Sequence, residues 1–281
     1  MNFKGISFYL SLFCFPISLL AFINILYASY FDFFLSIETY FTTLIISLSS
    51  GFGLFYYGKN SKKNINFFEQ LTLVIISYLF TSAMIAIPFY LSNYQVTFIN
   101  SLFEAFSGVT GTGFSIFENI KYLDPTLILW RSSSQWIGGL YFLFFLLLIF
   151  SNKKFNYKMN DLTFTHDGGV KSITNIKELL LKIFFFYSFL SVLIFLLFNV
   201  LEVRMFNSLN LSMSLISSGG FLPTNTLNNI IQTNGQKLLL IFSLCISIFN
   251  FFLIFNLFDQ KVIVHKHKED LYIFIFLIIL I

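Results

Sequence analysis

Two stretches of the chain repeat one pattern, NSLFEAFSGVTGTGF at residues 100–114 and NSLNLSMSLISSGGF at residues 207–221. Each begins with Asn-Ser-Leu, continues through small hydroxyl and glycine residues, and ends on Phe. Each also lies between two long apolar runs. Glycine-rich irregular backbone at membrane depth is tolerated only where protein buries it or where it lines a watery cavity. Since its carbonyls can there replace the hydration shell of an ion, the repeat indicates ion permeation rather than catalysis.

The composition of the chain indicates an integral membrane protein with an all-α fold. Of its 281 residues, 57% are hydrophobic and 11% are charged, whereas an ordinary soluble domain has about 25% charged residues. A bilayer span needs on the order of 20 apolar residues. Runs of that length occur at 6–28, 37–57, 67–91, 127–150, 178–200 and 236–258. We therefore predict a multi-pass protein built from repeated units of span, pore loop and span.

The repeat divides the sequence into units. Residues 1–66 contain two leading spans, 67–151 a first pore unit, 152–174 a cytoplasmic linker, 175–258 a second pore unit and 259–281 the start of an incomplete third unit. The chain stops inside an apolar run, so we expect an incomplete sequence of a longer transporter. The alternatives are a truncated fragment that transports nothing and a half-size subunit that forms its pore as a homodimer.

The basic residues determine the expected orientation. Cytoplasmic connections of membrane proteins carry an excess of lysine and arginine. Most of the 17 basic residues lie before the first span or in every second connection, at Lys4, Lys59, Lys62, Lys63, Lys153, Lys154, Lys158, Lys171, Lys177, Lys182, Lys261, Lys266 and Lys268. We therefore expect a cytoplasmic N-terminus, with both repeated segments on the outer side.

Each repeated segment predicts a short helix followed by a loop. Thr97 is a candidate cap for a helix that runs to Ser107, and about 11 residues rise only ~16 Å, half of a bilayer core. The negative C-terminal end of such a half-helix favours a cation at the membrane centre. The loops that follow offer hydroxyl and carbonyl oxygens, which suit hard cations. The candidate ion ligands are Thr110, Gly111, Thr112, Gly113, Ser217, Ser218, Gly219 and Gly220.

The alternative for these segments is an ordinary glycine- and serine-rich turn between two spans. Two copies in register, on the same side and each after a half-span helix, favour an ion filter over simple turns.

The residues of the first unit resemble the Trk/Ktr/HKT superfamily of potassium transporters, most closely its TrkH/KtrB-type membrane subunits. The segment FEAFSGVTGTGF at 103–114 is similar to the first pore loop of that family, and LWRSSSQWIGG at 129–139 is similar to the start of the next helix. The second unit is similar through 214–221 and through Asn250 and Phe251. The resemblance covers almost the whole chain, including the two leading spans.

The resemblance implies uptake of K⁺ across a bacterial cytoplasmic (inner) membrane, through a pore that four such units surround. Each unit contributes one filter glycine, here Gly113 and Gly220, at which we expect positive φ angles and inward carbonyls. Gly111 departs from the family pattern, in which a hydroxyl residue is more usual, and the third and fourth units are missing. Permeation of Na⁺ or transport coupled to Na⁺ is the alternative.

The resemblance also implies partners. A cytoplasmic nucleotide-binding gating ring of the TrkA/KtrA type would dock on the lysine-rich inner connections, and two membrane subunits would form a homodimer. No covalently bound cofactor is expected, and K⁺ is the permeant ion.

Two charged residues beside the first loop are candidates for its support. Arg131 is near the mouth of the fourth span, where it can snorkel to the interface or brace the loop through Glu104 or carbonyls; we favour the brace. Glu104 can attract cations or cap loop amides, and plain surface exposure is the alternative. Gln135, Gly138 and Gly139 are interpreted as helix-packing residues.

Other classes of function have little support. His265 and His267 have no further ligand-type residues at metal-binding spacing, so no resident metal is expected. No pairing of nucleophile and base and no phosphate-binding loop indicates an enzyme. Because no basic patch is interleaved with stacking aromatic residues, we expect contacts with membrane lipid and none with nucleic acid.

Overall fold

The computed structural model of the protein describes residues 2–61, 65–150 and 176–248, together with residues 272 and 275. Within these ranges the chain is helical and contains no strand, so the predicted all-α fold is confirmed. The α-helices of these ranges are α1 (Phe3–Tyr30), α2 (Phe34–Gly58), α3 (Phe67–Leu91), α4 (Phe98–Val109), α5 (Pro125–Phe150), α6 (Ile176–Val200), α7 (Met205–Ile216) and α8 (Asn234–Ile248). Short 3-10 turns at Ile120–Tyr122 and Leu227–Asn229 follow the loops after α4 and α7, the first and the second loop.

The long helices correspond to the predicted spans. By length and composition, four helical stretches of the described residues can cross a membrane: Phe3–Tyr30, Phe67–Leu91, Pro125–Ile149 and Leu180–Val200. Helix α2 covers the second predicted span, and α8 begins the sixth. The predicted linker at 152–174, the end of the second unit and the predicted third unit lie outside the described residues, apart from positions 272 and 275.

Two helices of 12 residues, α4 and α7, are the predicted half-helices. Twelve residues rise about 18 Å, which is too short to cross a bilayer core of about 30 Å. The cap predicted at Thr97 is confirmed, since its side chain accepts a hydrogen bond from the backbone N–H of Asn100 at 3.3 Å. The helix extends past the predicted end at Ser107 and ends at Val109.

Helix α5 lies at the centre of the described structure. One apolar cluster joins it to α1, α3 and α4 through residues such as Ile137 and Tyr141. A second cluster joins it to α6 and α7 through Leu140 and Leu143. Polar groups fix both contacts, since Tyr141 donates to the carbonyl of Phe13 at 2.5 Å on one side. On the other side, the Trp136 indole donates to Ser191 at 2.9 Å.

Two adjacent glycines let α5 approach the ends of both half-helices. A Cβ atom on Gly138 would overlap the carbonyl group of Val109, the last residue of α4. A Cβ atom on Gly139 would lie 2.9 Å from Cβ of Ser217, the residue that follows α7. The interpretation of these glycines as helix-packing residues agrees with the structure, and each of them serves a different unit.

Replacing Gly138 by alanine should destabilise the protein, because the added methyl group meets backbone that cannot rotate away. Overpacking of this kind costs about 1–3 kcal/mol. The control is Gly53→Ala in α2, where a Cβ atom meets nothing within 4 Å and alanine is the better helix former by about 1 kcal/mol. Thermal unfolding in detergent should therefore give a lower midpoint for Gly138→Ala only. Equal midpoints would contradict the close approach of α5 to α4.

Candidate pore-loop site

Both half-helices end in the same way. The N–H of Gly111 donates to the carbonyl of Gly108 at 3.0 Å, and the N–H of Ser218 donates to the carbonyl of Leu215 at 3.0 Å. The φ angle is +69° at Gly111 and +54° at Ser218. Both residues thus have the left-handed conformation that commonly ends a helix. The sequence repeat therefore places Gly111 and Ser218 at one structural position, although only the first is glycine.

The positive φ angle expected at both candidate filter glycines, Gly113 and Gly220, is found at one of them. Gly113 has a φ of +80°, whereas Gly220 is not in the left-handed region. The difference follows from the hydrogen bonds of the two loops. The N–H of Gly113 donates to the carbonyl of Ser107 at 3.3 Å, but in the second loop Gly219 makes the corresponding bond, to Ser214 at 2.7 Å. The second loop has thus turned one residue earlier, and the expectation for Gly220 was wrong.

The two loops contact each other at Gly113 and Gly220. A Cβ atom built on Gly113 would lie 2.5 Å from Cα and 2.8 Å from the nitrogen of Gly220. A Cβ atom built on Gly220 would lie 3.2 Å from Cα of Gly113. The structure thus places in contact the two glycines that the sequence singled out. A side chain on Gly113 would prevent this contact.

Hydroxyl groups of both loops are fixed by nearby acceptors. Thr110 Oγ1 donates to the carbonyl of Phe106 at 2.7 Å and lies 2.7 Å from Thr112 Oγ1. Ser218 Oγ donates to the carbonyl of Ser247 at 3.2 Å. A hydroxyl that donates its proton retains acceptor lone pairs. Since Thr110, Thr112 and Ser218 are exposed, their oxygens are accessible to a cation.

A buried ion pair supports the first loop. Arg131 Nε donates to Glu104 Oε1 at 2.7 Å, and the two side chains are 1% and 0% exposed. The other Glu104 oxygen accepts from the N–H of Ile116 at 2.9 Å. Ser115 Oγ lies between the two charges, because it accepts from Arg131 at 2.9 Å and donates to Glu104 at 3.1 Å. The pair therefore ties α4 and α5 to the segment that follows the loop.

This geometry differs from the exposed alternatives that the sequence left open. A snorkelling Arg131 would direct its guanidinium to the interface, whereas here protein encloses it. A Glu104 carboxylate at the mouth would attract cations through its charge, whereas here the charge is buried and paired. The carboxylate caps the loop amide of Ile116, which is the role that the sequence suggested as one option.

Arg131 also contacts the second loop. Its Nη1 donates to the carbonyl of Leu222 at 3.4 Å, and its guanidinium carbon lies 4.3 Å from the centre of the Phe221 ring. The ring of Phe117, in the first unit, is 5.8 Å away. Attraction between a cation and a ring face extends to about 6 Å. One side chain of the first unit therefore holds residues of both loops.

Gln135 makes polar contacts with the second loop that the interpretation as a packing residue missed. Its Oε1 accepts from the N–H of Phe221 at 3.1 Å and from Ser214 Oγ at 2.9 Å. The available signal was its spacing, since Gln135 follows Arg131 by four residues and such residues share a helix face.

At the positions that correspond to Glu104 and Arg131, the second unit has apolar residues. The offset of 107 residues between the half-helices places Leu211 at the position of Glu104. The region that corresponds to Arg131 is 238–240, which is three leucines. Helix α5 of the first unit supports the loop of the second through Gln135, and Ser247 of the second unit also accepts a bond from that loop.

The segments that follow the two loops are also joined. Asn225 Nδ2 donates to Asn119 Oδ1 at 3.1 Å, and Asn225 Oδ1 accepts from the N–H of Lys121 at 3.2 Å.

In the part of the chain that the structure describes, no group of three or more His, Cys, Asp or Glu residues can hold a metal ion.

A sequence profile identifies the family of the chain. The profile of TrkH, described as a cation transport protein, matches residues 36–277, which is most of the sequence. The chain belongs to the TrkH family. It is therefore a multi-pass membrane protein of a transport family, and this agrees with the prediction that it is not an enzyme.

Individual transport proteins align with parts of the chain. An uncharacterized cation transporter of Methanocaldococcus jannaschii is 27% identical over 164 residues, which are 58% of this chain and 34% of that protein. The Trk system potassium uptake protein TrkG of Escherichia coli is 29% identical over 106 residues, 37% of this chain and 22% of that protein. The chain thus spans about a third or less of the length of these relatives.

The fold is that of a solved TrkH-family structure. The potassium transporter TrkH from Vibrio parahaemolyticus matches with a TM-score of 0.77 and 20% identity. The match covers 92% of this chain and 53% of that one.

Neutralising Glu104 should destabilise the protein more than any exposed change, because it leaves the Arg131 charge buried without its partner. Breaking a buried ion pair costs about 3–5 kcal/mol. The matched control is Glu118→Gln, since Glu118 is exposed and surface changes usually stay within about 0.5 kcal/mol. Denaturant titration can follow tryptophan fluorescence, because Trp130 and Trp136 are the two tryptophans and lie on α5. A Glu104→Gln variant as stable as the control would show that the pair does not hold the loop.

Proposed function

We propose that the chain forms two pore units of a potassium uptake transporter. Dehydrated K⁺ passes inward through a filter that includes backbone carbonyls near Gly113 and Gly220. The observation that carries the proposal is the backbone contact between these glycines, each of which follows the C-terminal end of a half-helix. The other filter residues in this proposal are Thr110, Gly111, Thr112, Ser217, Ser218 and Gly219.

Electrostatics supports a cation at this place. Each half-helix directs the negative end of its dipole toward its own loop, and the loops contact each other. Carbonyl and hydroxyl oxygens replace the water shell of a permeating ion. An inside-negative membrane potential then drives uptake by about 2.3 kcal/mol per charge for each 100 mV.

The preference for K⁺ is supported by relatives whose names state potassium uptake and by the solved potassium transporter of the same fold. Permeation of Na⁺ is the second candidate. The observation that favours it is Gly111, which offers no hydroxyl oxygen at the place where Ser218 offers one.

In this proposal, pore units other than the two described above form the remaining sides of the pore. A longer protein that contains this sequence supplies two further units, or a second copy of the chain supplies them. The complete subunit pairs as a homodimer in the bacterial inner membrane. A cytoplasmic nucleotide-binding ring of the TrkA/KtrA type binds its lysine-rich inner side and controls opening.

Replacing Gly113 by serine in the complete transporter should lower K⁺ affinity or K⁺/Na⁺ discrimination. The added Cβ atom would separate the two loops, because it would otherwise lie 2.5 Å from Gly220, and selectivity depends on the number and field of the coordinating oxygens. Gly111→Ser also places a side chain on a residue with a left-handed backbone conformation, which costs about 1–2 kcal/mol in either variant. Its Cβ atom meets only the carbonyl of Ser217, at 3.4 Å, so its effect should be smaller.

Rubidium uptake against external sodium, in cells without other potassium uptake, measures both quantities. Gly220→Ser should have an intermediate effect, because its Cβ atom lies 3.2 Å from Gly113. Gly53→Ser, in open space on α2, is the control for expression and should match the unsubstituted protein. If Gly113→Ser keeps normal affinity and discrimination, the proposed filter is wrong.

The orientation is tested by two exposed asparagines on opposite sides. Asn60 follows α2 beside Lys59, on the expected cytoplasmic side, and Asn228 lies beyond the second loop, on the expected outer side. In variants that lack Cys14 and Cys245, a membrane-impermeant thiol reagent applied outside should modify Asn228→Cys and spare Asn60→Cys. The reverse labelling pattern would show that the lysine-rich connections face outward.

A further inference from the structure

We propose that Gln135 is the residue that positions the second pore loop, and that it thereby sets the ion preference at Gly220. The first part rests on geometry alone. The second part rests on the proposed function, because it requires the loop to be an ion filter.

The side chain of Gln135 lies inside the second loop. It is 0% exposed, and its Oε1 accepts from Ser214 at 2.9 Å and from the N–H of Phe221 at 3.1 Å. These partners lie on either side of the proposed ion ligands, near the end of α7 and directly after Gly220. Between them, a Cβ atom on Gly219 would overlap the Gln135 amide and lie 2.8 Å from its Nε2. The loop therefore wraps around a side chain of the other unit.

The two loops differ where this contact exists. Phe221, whose N–H is held by Gln135, is 1% exposed, whereas Phe114 at the same place of the first repeat is 68% exposed. The first loop has the buried pair of Glu104 and Arg131 behind it, and the second unit has leucine at the position of Glu104. Gln135 thus supplies to the second loop a buried polar contact from the first unit, in addition to the bond that Ser218 makes to Ser247 of its own unit.

The oxygen of Gln135 carries the contact. Its Nε2 is buried and has no hydrogen-bond partner among the described residues. A side chain that retains an oxygen at the Oε1 position keeps both bonds to the loop, while loss of the nitrogen breaks none. An apolar side chain of similar size leaves the N–H of Phe221 buried without an acceptor, which is unfavourable.

The test compares Gln135→Leu with Gln135→Glu in the full chain, by hydrogen exchange of peptides that contain Phe221. Exchange reports local opening, and loss of the acceptor should accelerate exchange of this amide roughly tenfold in Gln135→Leu. Because burial favours the protonated form of a carboxyl group, Gln135→Glu keeps a neutral acceptor oxygen at this position and should restore the slow rate. Gln232→Leu, at an exposed glutamine of the outer connection, is the matched control and should leave exchange at Phe221 unchanged.

Rubidium uptake against external sodium, measured on the same variants, should show reduced discrimination in Gln135→Leu and recovery in Gln135→Glu. Where Gln135→Leu does not accumulate, Ser214→Ala removes one donor to Oε1 and leaves α5 intact. It should give exchange rates between those of the unsubstituted chain and those expected for the leucine variant.

The outcomes separate the two parts of the proposal. Unchanged exchange in Gln135→Leu and in Ser214→Ala overturns the positioning role, whatever transport shows. Faster exchange with unchanged discrimination overturns the influence on ion preference. Absence of rubidium uptake by the unsubstituted complete transporter, with all of its pore units, overturns the proposed function and the ion preference with it, while exchange still decides whether Gln135 holds the loop.

Discussion

The buried ion pair between Arg131 and Glu104 constrains every element around the first loop. An unpaired charge in the interior of a membrane protein is expensive, since neither lipid nor protein replaces its water shell. The pair is therefore stable only when its other hydrogen bonds are also made. Those bonds reach Ser115, the N–H of Ile116 and the carbonyl of Leu222. A displacement of α4, of α5 or of either loop would break at least one of them, so the pair couples four segments of the chain.

Helix α5 extends this coupling along one side of the helix. Arg131, Gln135 and Gly138 follow one another at spacings of four and three residues, which place them on one face. The first two hold the loops by polar contacts, and the glycine lets the helix approach the end of α4. Gly139, one residue further on, does the same for the end of α7. A helix of the first unit thus contacts the ends of both half-helices, although the sequence repeat would suggest that each unit supports itself.

Features that depend on local sequence were predictable, and features that depend on contacts between the units were not. The lengths of the apolar runs predicted the membrane spans. The hydroxyl of Thr97, which precedes an amphipathic segment, predicted the start of α4. The backbone of the second loop was mispredicted, because the repeat suggested that Gly220 would copy Gly113. The acceptor role of Gln135 was missed for a related reason. Its partners, Ser214 and Phe221, are 79 and 86 residues away, and no periodicity within one helix reveals contacts at that separation.

The same residue type is therefore required at Gly113 and at Gly220 for different reasons. At Gly113 two requirements coincide, since its φ of +80° disfavours any side chain and its Cα faces the other loop. At Gly220 the φ angle is not in the left-handed region, so the backbone conformation does not exclude a side chain. What restricts a side chain there is the short distance to Gly113. Conversely, Ser218 has the left-handed angle without being glycine, and its hydroxyl donates a hydrogen bond to the carbonyl of Ser247. Both copies of the repeat place a glycine at the contact between the loops. The backbone angles and hydrogen bonds that lead to this glycine differ between the two loops.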